Sequence, residues 1–294
     1  MPRLPVLNNP PPREDLGGIS GSGGPIWDAE GERLAAGLRE LLATGSGPDR
    51  TGGEVRFGRH DRMLYSTDAS LYQIEPIGVV VPASVDDAAR VVRWCADRRV
   101  AMLPRGGGTS LAGQCTNHAV VIDMSASCRA VRFVDVKTRT CDVEPGLSID
   151  GLNDHLLRNE TGLFFAPDPA TTRQCAIGGA IGNNAAGARS ILYGRTSENI
   201  ESIEVALASR AGERVRLGPS AGRHDEIARR LGEGVLQIVR ANAALIRERF
   251  PKTIRRNAGY GLDMILDQVD RGATPETVDL SKLLCGSEGT LAVT

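Results

Sequence analysis

The chain has 294 residues, of which 41% are hydrophobic, and a formal net charge of -1. That length supports one large or two ordinary globular domains with ample core. A near-neutral balance gives no electrostatic footprint for nucleic acid or a membrane surface, and no apolar run serves as a signal core or nears the roughly 20 residues of a membrane span. The six cysteines, Cys95, Cys115, Cys128, Cys141, Cys175 and Cys285, include no C-x-x-C pair, which removes zinc-finger and ferredoxin spacing. The reading is a cytoplasmic protein with reduced thiols, several acting as small hydrophobes in apolar runs such as Val91 to Cys95.

Residues 1–26 are rich in Pro, Gly and Ser and read as a disordered tail, because such a segment buries too little apolar surface to offset ordering. Residues 27–76 read as an N-terminal helix and lead-in. Leu34, Leu38, Leu41 and Leu42 share one helical face between Trp27 and Leu42, and Gly45-Ser-Gly-Pro48 ends that helix. Arg50 to Pro76 looks mostly irregular. Its polar groups Tyr65, Asp68, Ser70 and Tyr72 belong either to a surface lead-in or to the edge of a cofactor site.

A regular unit then begins. Gly78 to Val81 is a buried strand closed by Pro82. Ser84 caps a helix whose first turn holds Asp86 and Asp87 and whose apolar side holds Ala88, Val92 and Cys95. Val100 to Leu103 and Ala119 to Met124 are further strands, giving a β-α-β unit. Arg129 to Val136 and Thr140 to Val143 read as a hairpin, and Ser148 caps a helix through Leu157 that stops near Gly162. Ile200 to Ala208 and Glu213 to Leu217 form a second hairpin across Arg210-Ala-Gly212. His224 to Arg249 is one long amphipathic helix, with Ile227, Leu231, Ile238 and Leu245 on its apolar side, ended by Pro251. Leu291 to Thr294 reads as a strand, and an apolar strand at the last residue points to a piece of something longer.

The β-α-β unit carries at its carboxyl end Pro104-Arg-Gly-Gly-Gly-Thr-Ser-Leu-Ala-Gly-Gln114, where α/β units hold ligands. A loop without Cβ atoms at its apex turns backbone N–H groups into one concavity and lets a phosphate approach. It is not a dinucleotide fingerprint, since the third required glycine falls on Leu111. It is not a Walker A loop either, since Gln114 and Cys115 stand where Lys and Ser/Thr belong. A second poor core former runs from Pro167-Asp-Pro-Ala-Thr-Thr172 through Gly178-Gly-Ala-Ile-Gly-Asn-Asn-Ala-Ala-Gly187, whose small residues suit backbone lying against a flat ligand. Tyr193 is either a stacking ring or a half-buried core residue. The arginines at 229–230 and 255–256 are interleaved with acidic residues and read mostly as solvated surface. His60, His118, His155 and His224 show no ligand spacing.

Together these stretches resemble the FAD-binding, PCMH-type domain of the vanillyl-alcohol oxidase superfamily, in its glycolate oxidase, D-lactate dehydrogenase and D-2-hydroxyglutarate dehydrogenase branch, over roughly Tyr65 to Thr294. Gly286-Ser-Glu-Gly-Thr-Leu291 is similar to the stretch that closes that domain. The resemblance implies an α+β fold of two α/β subdomains with FAD between them. Residues 77–143 form a small β-α-β unit. Residues 144–294 form a larger mixed or antiparallel sheet flanked by helices, with a substrate domain apparently missing after 294. It implies that Pro104, Arg105, Gly106, Gly107, Gly108, Thr109, Ser110, Gly113 and Gln114 hold the diphosphate. Pro167, Asp168, Thr171, Gly178, Gly179, Gly182, Asn183 and Gly187 would lie along the flavin and ribityl chain, with Ile200 to Ile203 on the adenine side. Tyr193, in the second flavin segment, and Glu288 would also bind the cofactor.

Some relatives link flavin covalently through a His in the first loop. Thr109 takes that place here, which implies non-covalent FAD. Arg255, Arg256 and Tyr260 resemble a stretch near flavin or substrate. A guanidinium suits a substrate carboxylate, and the alternative is a surface pair flanking the preceding helix. No catalytic acid or base is singled out. The implied function is the FAD-binding portion of a flavin-dependent 2-hydroxy acid dehydrogenase or oxidase. Its substrate is a small 2-hydroxy acid, and its electron acceptor or iron–sulfur domain lies outside this chain. The alternatives are sugar-lactone or alcohol oxidation on the same flavin domain, or an electron-transfer module without its own substrate.

Overall fold

A computed structural model describes residues 25–44, 53–208, 213–253, 256–257 and 259–294. The expected tail up to Gly24, the stop at Gly45 to Pro48 and the turn at Arg210 to Gly212 lie outside the described residues, as does Arg255. Helix α1 spans Pro25–Ala43, two residues earlier than its apolar period suggested. Ala35, Leu38 and Leu42 are buried on its inner face.

The first layer is a four-stranded sheet in the order β1-β2-β4-β3. Strands β2 (Gly78–Val81), β3 (Met102–Arg105) and β4 (Val120–Asp123) are parallel, and β1 (Glu54–Arg56) adds an antiparallel edge on β2. All four residues of β2 and of β4 are buried, as continuous apolar runs require when both sheet faces are covered. One face packs on α1 and on α3 (Val85–Asp97), where Val91, Val92 and Cys95 are fully buried. The other face holds Val79, Val81, Leu103 and Val121 with Tyr65 laid against them. Each such fully buried aliphatic side chain is worth roughly 1.5–3 kcal/mol. Helix α3 starts where its cap predicts: Ser84 Oγ accepts from Asp87 N at 3.2 Å. The lead-in that looked irregular supplies both β1 and helix α2 (Arg59–Leu64), and β3 runs two residues further than the sequence pattern indicated, reaching Arg105.

The second part has its own core, built on Ile149, Leu152, Ile181, Ile203, Leu236 and Ile265 among others. Its antiparallel pairing comes as two separate ladders, β5 (Val131–Asp135) with β6 (Thr140–Val143) and β7 (Ile203–Leu207) with β8 (Glu213–Leu217). The first hairpin, expected within residues 77–143, packs on this second core through Val134, Cys141 and Val143. Among the described residues, 144–294 hold only the β7–β8 ladder where a larger sheet was expected. Helix α4 (Ile149–Arg158) is capped by Ser148, whose Oγ accepts from Gly151 N at 3.1 Å. The glycine-rich second stretch contains α5 (Ile177–Asn183) and leads to the short α6 (Ser190–Tyr193). The single long helix expected over His224 to Arg249 is two, α7 (Glu226–Ala241) and α8 (Ala243–Arg249). Asn242 breaks it, its side-chain amide donating to Ile238 O at 2.8 Å and competing with the helical ladder. Helices α9 (Leu262–Asp270) and α10 (Ser281–Leu284) complete the fold. Leu291 to Thr294 does not form a ladder strand; Val293 makes one isolated bridge to Ala206. Among the described residues no helix is long and apolar enough to cross a membrane.

Candidate cofactor site

The glycine loop leaves β3 and is held from two sides. On one side, Arg105 turns back towards the lead-in. Its Nη1 donates to Tyr65 O at 3.2 Å and Cys115 O at 3.0 Å, its Nη2 donates to Thr67 O at 2.8 Å, and its guanidinium sits 5.3 Å from the Tyr65 ring centre. Tyr65 in turn donates to Asp123 Oδ2 at 2.6 Å, and burial together with that carboxylate pushes its phenol well above the usual range. Asp68 accepts from Ser70 N at 2.8 Å and Cys115 N at 3.2 Å. Its pKa is lowered because those donors, with Arg105, outweigh the opposing effect of burial, the largest single influence. Thus the polar groups of the lead-in brace the loop. The Arg105 side chain is part of that brace, donating to three backbone carbonyls.

On the other side the loop rests on the segment before α5. A Cβ on Gly107 would stand 1.8 Å from Gln174 O, and one on Gly106 would stand 2.8 Å from Ala176 Cβ and 3.9 Å from Gly179 N. Only glycine permits that seat. Gly108 has φ 63° and Gly113 φ 84°, with Tyr72 packed against Gly113. The backbone N–H groups of Gly107 to Ser110 donate to no protein acceptor among the described residues. Ser110 Oγ lies 3.3 Å from Cys115 Sγ, so its hydroxyl ties the loop to its own far end while the amides stay open.

Helix α5 presents two unlike sides. Ile177, Ala180 and Ile181 are buried, whereas Gly179 and Asn183 are exposed, and a Cβ on Gly179 would meet nothing within 4 Å. Gly182 would meet only Glu288, at 3.7 Å. A helix of such low intrinsic propensity forms because its apolar trio at i, i+3 and i+4 is buried. Its end is closed by the 286–288 segment, where Gly286 N donates to Ile181 O at 3.0 Å and Glu288 N to Gly182 O at 2.9 Å. Glu288 Oε1 accepts from Asn183 Nδ2 at 2.8 Å and Gln114 Nε2 at 3.4 Å. The glycine loop, the bare face of α5 and the 286–288 turn therefore meet. This geometry suits an anion held by backbone amides next to a flat group lying on side-chain-free backbone, and FAD fits that combination.

The other expected residues fall into place unevenly. Pro167 is buried, Thr171 O accepts from Gln174 N and Cys175 N at 2.9 and 2.7 Å, and Gly178 packs on Pro145. Gly187 lies so close to the Asp168 carbonyl that a Cβ would stand 1.9 Å away. The Asp168 carboxylate accepts from Arg189 N at 2.9 Å and pairs with its guanidinium. Tyr193 meets Phe164 edge-on at 5.4 Å. Ile200 and Ile203 are not brought to the bare face; with Ile177 and Ile181 they line a cavity on the buried side of α5. Arg256 pairs with Asp263 at 2.8 Å and donates to Pro251 O at 3.2 Å, and Tyr260 Oη lies 2.9 Å from Thr290 Oγ1. Gln174 and Ala176, the seat of the loop, went unnoticed in the sequence because ordinary residues act there through their backbone and bulk.

A backbone nest beside a bare helix face is the arrangement a nucleotide cofactor, with its phosphates and flat ring, requires. Residues 76–218 match the FAD binding domain family, so the chain carries an FAD-binding domain of the FAD-linked oxidase, PCMH-type branch. It is similar to D-2-hydroxyglutarate dehydrogenase of Pantoea ananatis, 34% identical over 82% of this chain and 24% of that protein. The Escherichia coli K12 enzyme of that name is 33% identical with the same coverage. Glycolate oxidase subunit GlcD of Bacillus subtilis is 31% identical over 62% of this chain and 37% of its own length. The chain thus spans about a quarter of the D-2-hydroxyglutarate dehydrogenases. A solved alkyldihydroxyacetonephosphate synthase shares the fold, with TM-score 0.58 and 20% identity over 87% of this chain and 38% of that one.

Proposed function

We propose that the chain is the FAD-binding portion of a flavin-dependent 2-hydroxy acid dehydrogenase and holds FAD without a covalent link. The observation that carries the reading is the meeting of the open amides of Gly107 to Ser110 with the bare face of α5 across the Glu288 turn. Those amides bind the diphosphate, with Gly108 and Gly113 giving the backbone its turn. Gly179, Gly182 and Asn183 orient the ring system, Asn183 being held by Glu288. When bound, FAD supplies a two-electron acceptor at N5 for the hydride leaving the substrate α-carbon. Arg256, held by Asp263, lines a small cavity with Tyr260, and these two residues remain the candidates for the substrate carboxylate.

Support comes also from the relatives' names, D-2-hydroxyglutarate dehydrogenase and glycolate oxidase subunit, both pointing to a 2-hydroxy acid. The test is a flavin-fluorescence titration of the purified chain followed by acid precipitation. Saturable one-to-one uptake with flavin released to the supernatant is expected. Failure of folded protein to take up FAD sinks the reading, and flavin remaining in the pellet sinks its non-covalent part.

A further inference from the structure

One carboxylate in the cofactor site lacks a countercharge among the described residues. Glu288 Oε1 accepts from Asn183 Nδ2 at 2.8 Å and from Gln114 Nε2 at 3.4 Å, both neutral amides. Its Oε2 stands 3.7 Å from the point a Cβ on Gly182 would occupy, beside α5. The cations of the adjoining segments are engaged elsewhere. Lys282 is taken up by Ser197 O, Ile200 O and Asp279, Arg256 by Asp263, and Arg105 by three backbone carbonyls.

That charge is also fixed in place. Glu288 holds φ 51°, and its N–H donates to Gly182 O at 2.9 Å. The glycines on either side seat the turn: a Cβ on Gly286 would stand 2.6 Å from Gly259 O, and one on Gly289 3.0 Å from Pro104 Cγ. A carboxylate held by its backbone and by two amides is preorganised, and does not turn away when charge appears beside it.

Its place along the site decides what it acts on. The glycine loop approaches α5 near Gly179, a Cβ on Gly106 standing 3.9 Å from Gly179 N. Glu288 lies about one turn further on, at Gly182 and Asn183, or ~5 Å along the helix axis. A diphosphate is drawn to the open amides of the loop and repelled by an unpaired carboxylate, which confines it to the first end. Beside Glu288 there is room for the part of the cofactor that is neutral until it is reduced. A hydride brings that ring two electrons and one proton, and so leaves it one negative charge richer.

We propose that Glu288 sets the reduction potential of the bound flavin. Its fixed carboxylate disfavours the charge that reduction adds and holds the potential low, making the reduced cofactor a stronger donor to its electron acceptor. The inference rests on the FAD reading above and adds to it an electrostatic role for one residue.

Glu288→Gln keeps an oxygen for both amides and removes the charge. The full chain is loaded with FAD, and the midpoint potential at neutral pH is read against a reference dye during slow enzymatic reduction. At a fixed poise the Gln variant is expected to show about ten times the reduced-to-oxidised ratio of the parent chain, or ~30 mV for a two-electron couple, while keeping its affinity for oxidised FAD. Gln114→Lys, which sets an ammonium against the same carboxylate oxygen, is expected to move the potential in the same direction. It decides the matter if the first variant does not fold or does not take up FAD. A purely structural tether predicts no shift in either. An unchanged or lowered potential in the loaded variants overturns the inference and leaves FAD binding standing, whereas a parent chain that takes up no FAD overturns both.

Discussion

Glu288 accepts a hydrogen bond from Asn183 at 2.8 Å, joining residues more than 100 positions apart at the exposed end of α5. The same oxygen receives Gln114 at 3.4 Å, so one carboxylate tethers the end of the glycine loop to the bare helix face. Glu288 holds a left-handed backbone, φ 51°, which costs a non-glycine residue about 1–2 kcal/mol and persists because the turn is fixed on both sides. Glu288→Ala is expected to weaken FAD binding about tenfold, or ~1.4 kcal/mol, and to lower the thermal midpoint. Glu288→Gly relieves the backbone, so it should weaken FAD binding equally while losing less thermal stability. Titration and calorimetry on both variants decide it, and undiminished FAD affinity in Glu288→Ala would remove the tether from the site.

Two glycines separate ligand space from packing space. A methyl at Gly107 collides with the Gln174 carbonyl at 1.8 Å, whereas one at Gly179 meets nothing within 4 Å. Gly107→Ala must therefore displace the loop, costing on the order of 1–3 kcal/mol of overpacking strain along with FAD binding. Gly179→Ala sits on an exposed helix position, where Ala is the better helix former by about 1 kcal/mol. The protein should be at least as stable, yet lose FAD affinity more than tenfold because the methyl enters the cofactor's space. A Gly179→Ala chain that binds FAD normally would show that the ring system lies elsewhere.

Arg105 is predicted to act on stability rather than charge. Its guanidinium donates to the carbonyls of Tyr65, Thr67 and Cys115, a planar arrangement that an ammonium does not reproduce. Arg105→Lys should lose on the order of 2 kcal/mol in urea unfolding, nearly as much as Arg105→Ala. If Arg105 instead met the diphosphate, Lys would largely rescue FAD affinity, and that outcome would support the role first read from the motif.

The contrast shows which parts of the site were open to a reading of the sequence. The loop at Gly106 to Gly108 and the caps at Ser84 and Ser148 were legible because each depends on local chemistry: a needed backbone angle, or an oxygen three residues from an amide. The fate of Arg105 was not, since its acceptors are backbone carbonyls, which any residue supplies. Helix α5 was hidden by its glycines, whose low propensity is overridden by the burial of Ile177, Ala180 and Ile181. Strand β1 escaped notice because three residues carry no period, and the break at Asn242 because the apolar stripe continues across it.

The buried thiols set the response to alkaline pH. Burial pushes Cys95, Cys128 and Cys285 up to about 12 and Cys175 up to about 11, while an unfolded thiol titrates near 8.5. The folded chain therefore retains protons that the unfolded chain releases, and stability falls as pH rises above the unfolded value. It should be flat with respect to these groups below about pH 8 and then decline by up to about 1.4 kcal/mol per pH unit for each thiol until the folded pKa is reached. Urea midpoints at pH 7.5, 9 and 10 measure the slope, and Cys285→Ala, which removes one titrating group, should make it shallower. In native buffer at pH 8 only the partly exposed Cys115 and Cys141 should take up iodoacetamide. A stability that rises between pH 9 and 10, or a slope unchanged in Cys285→Ala, would show that these thiols do not govern alkaline unfolding.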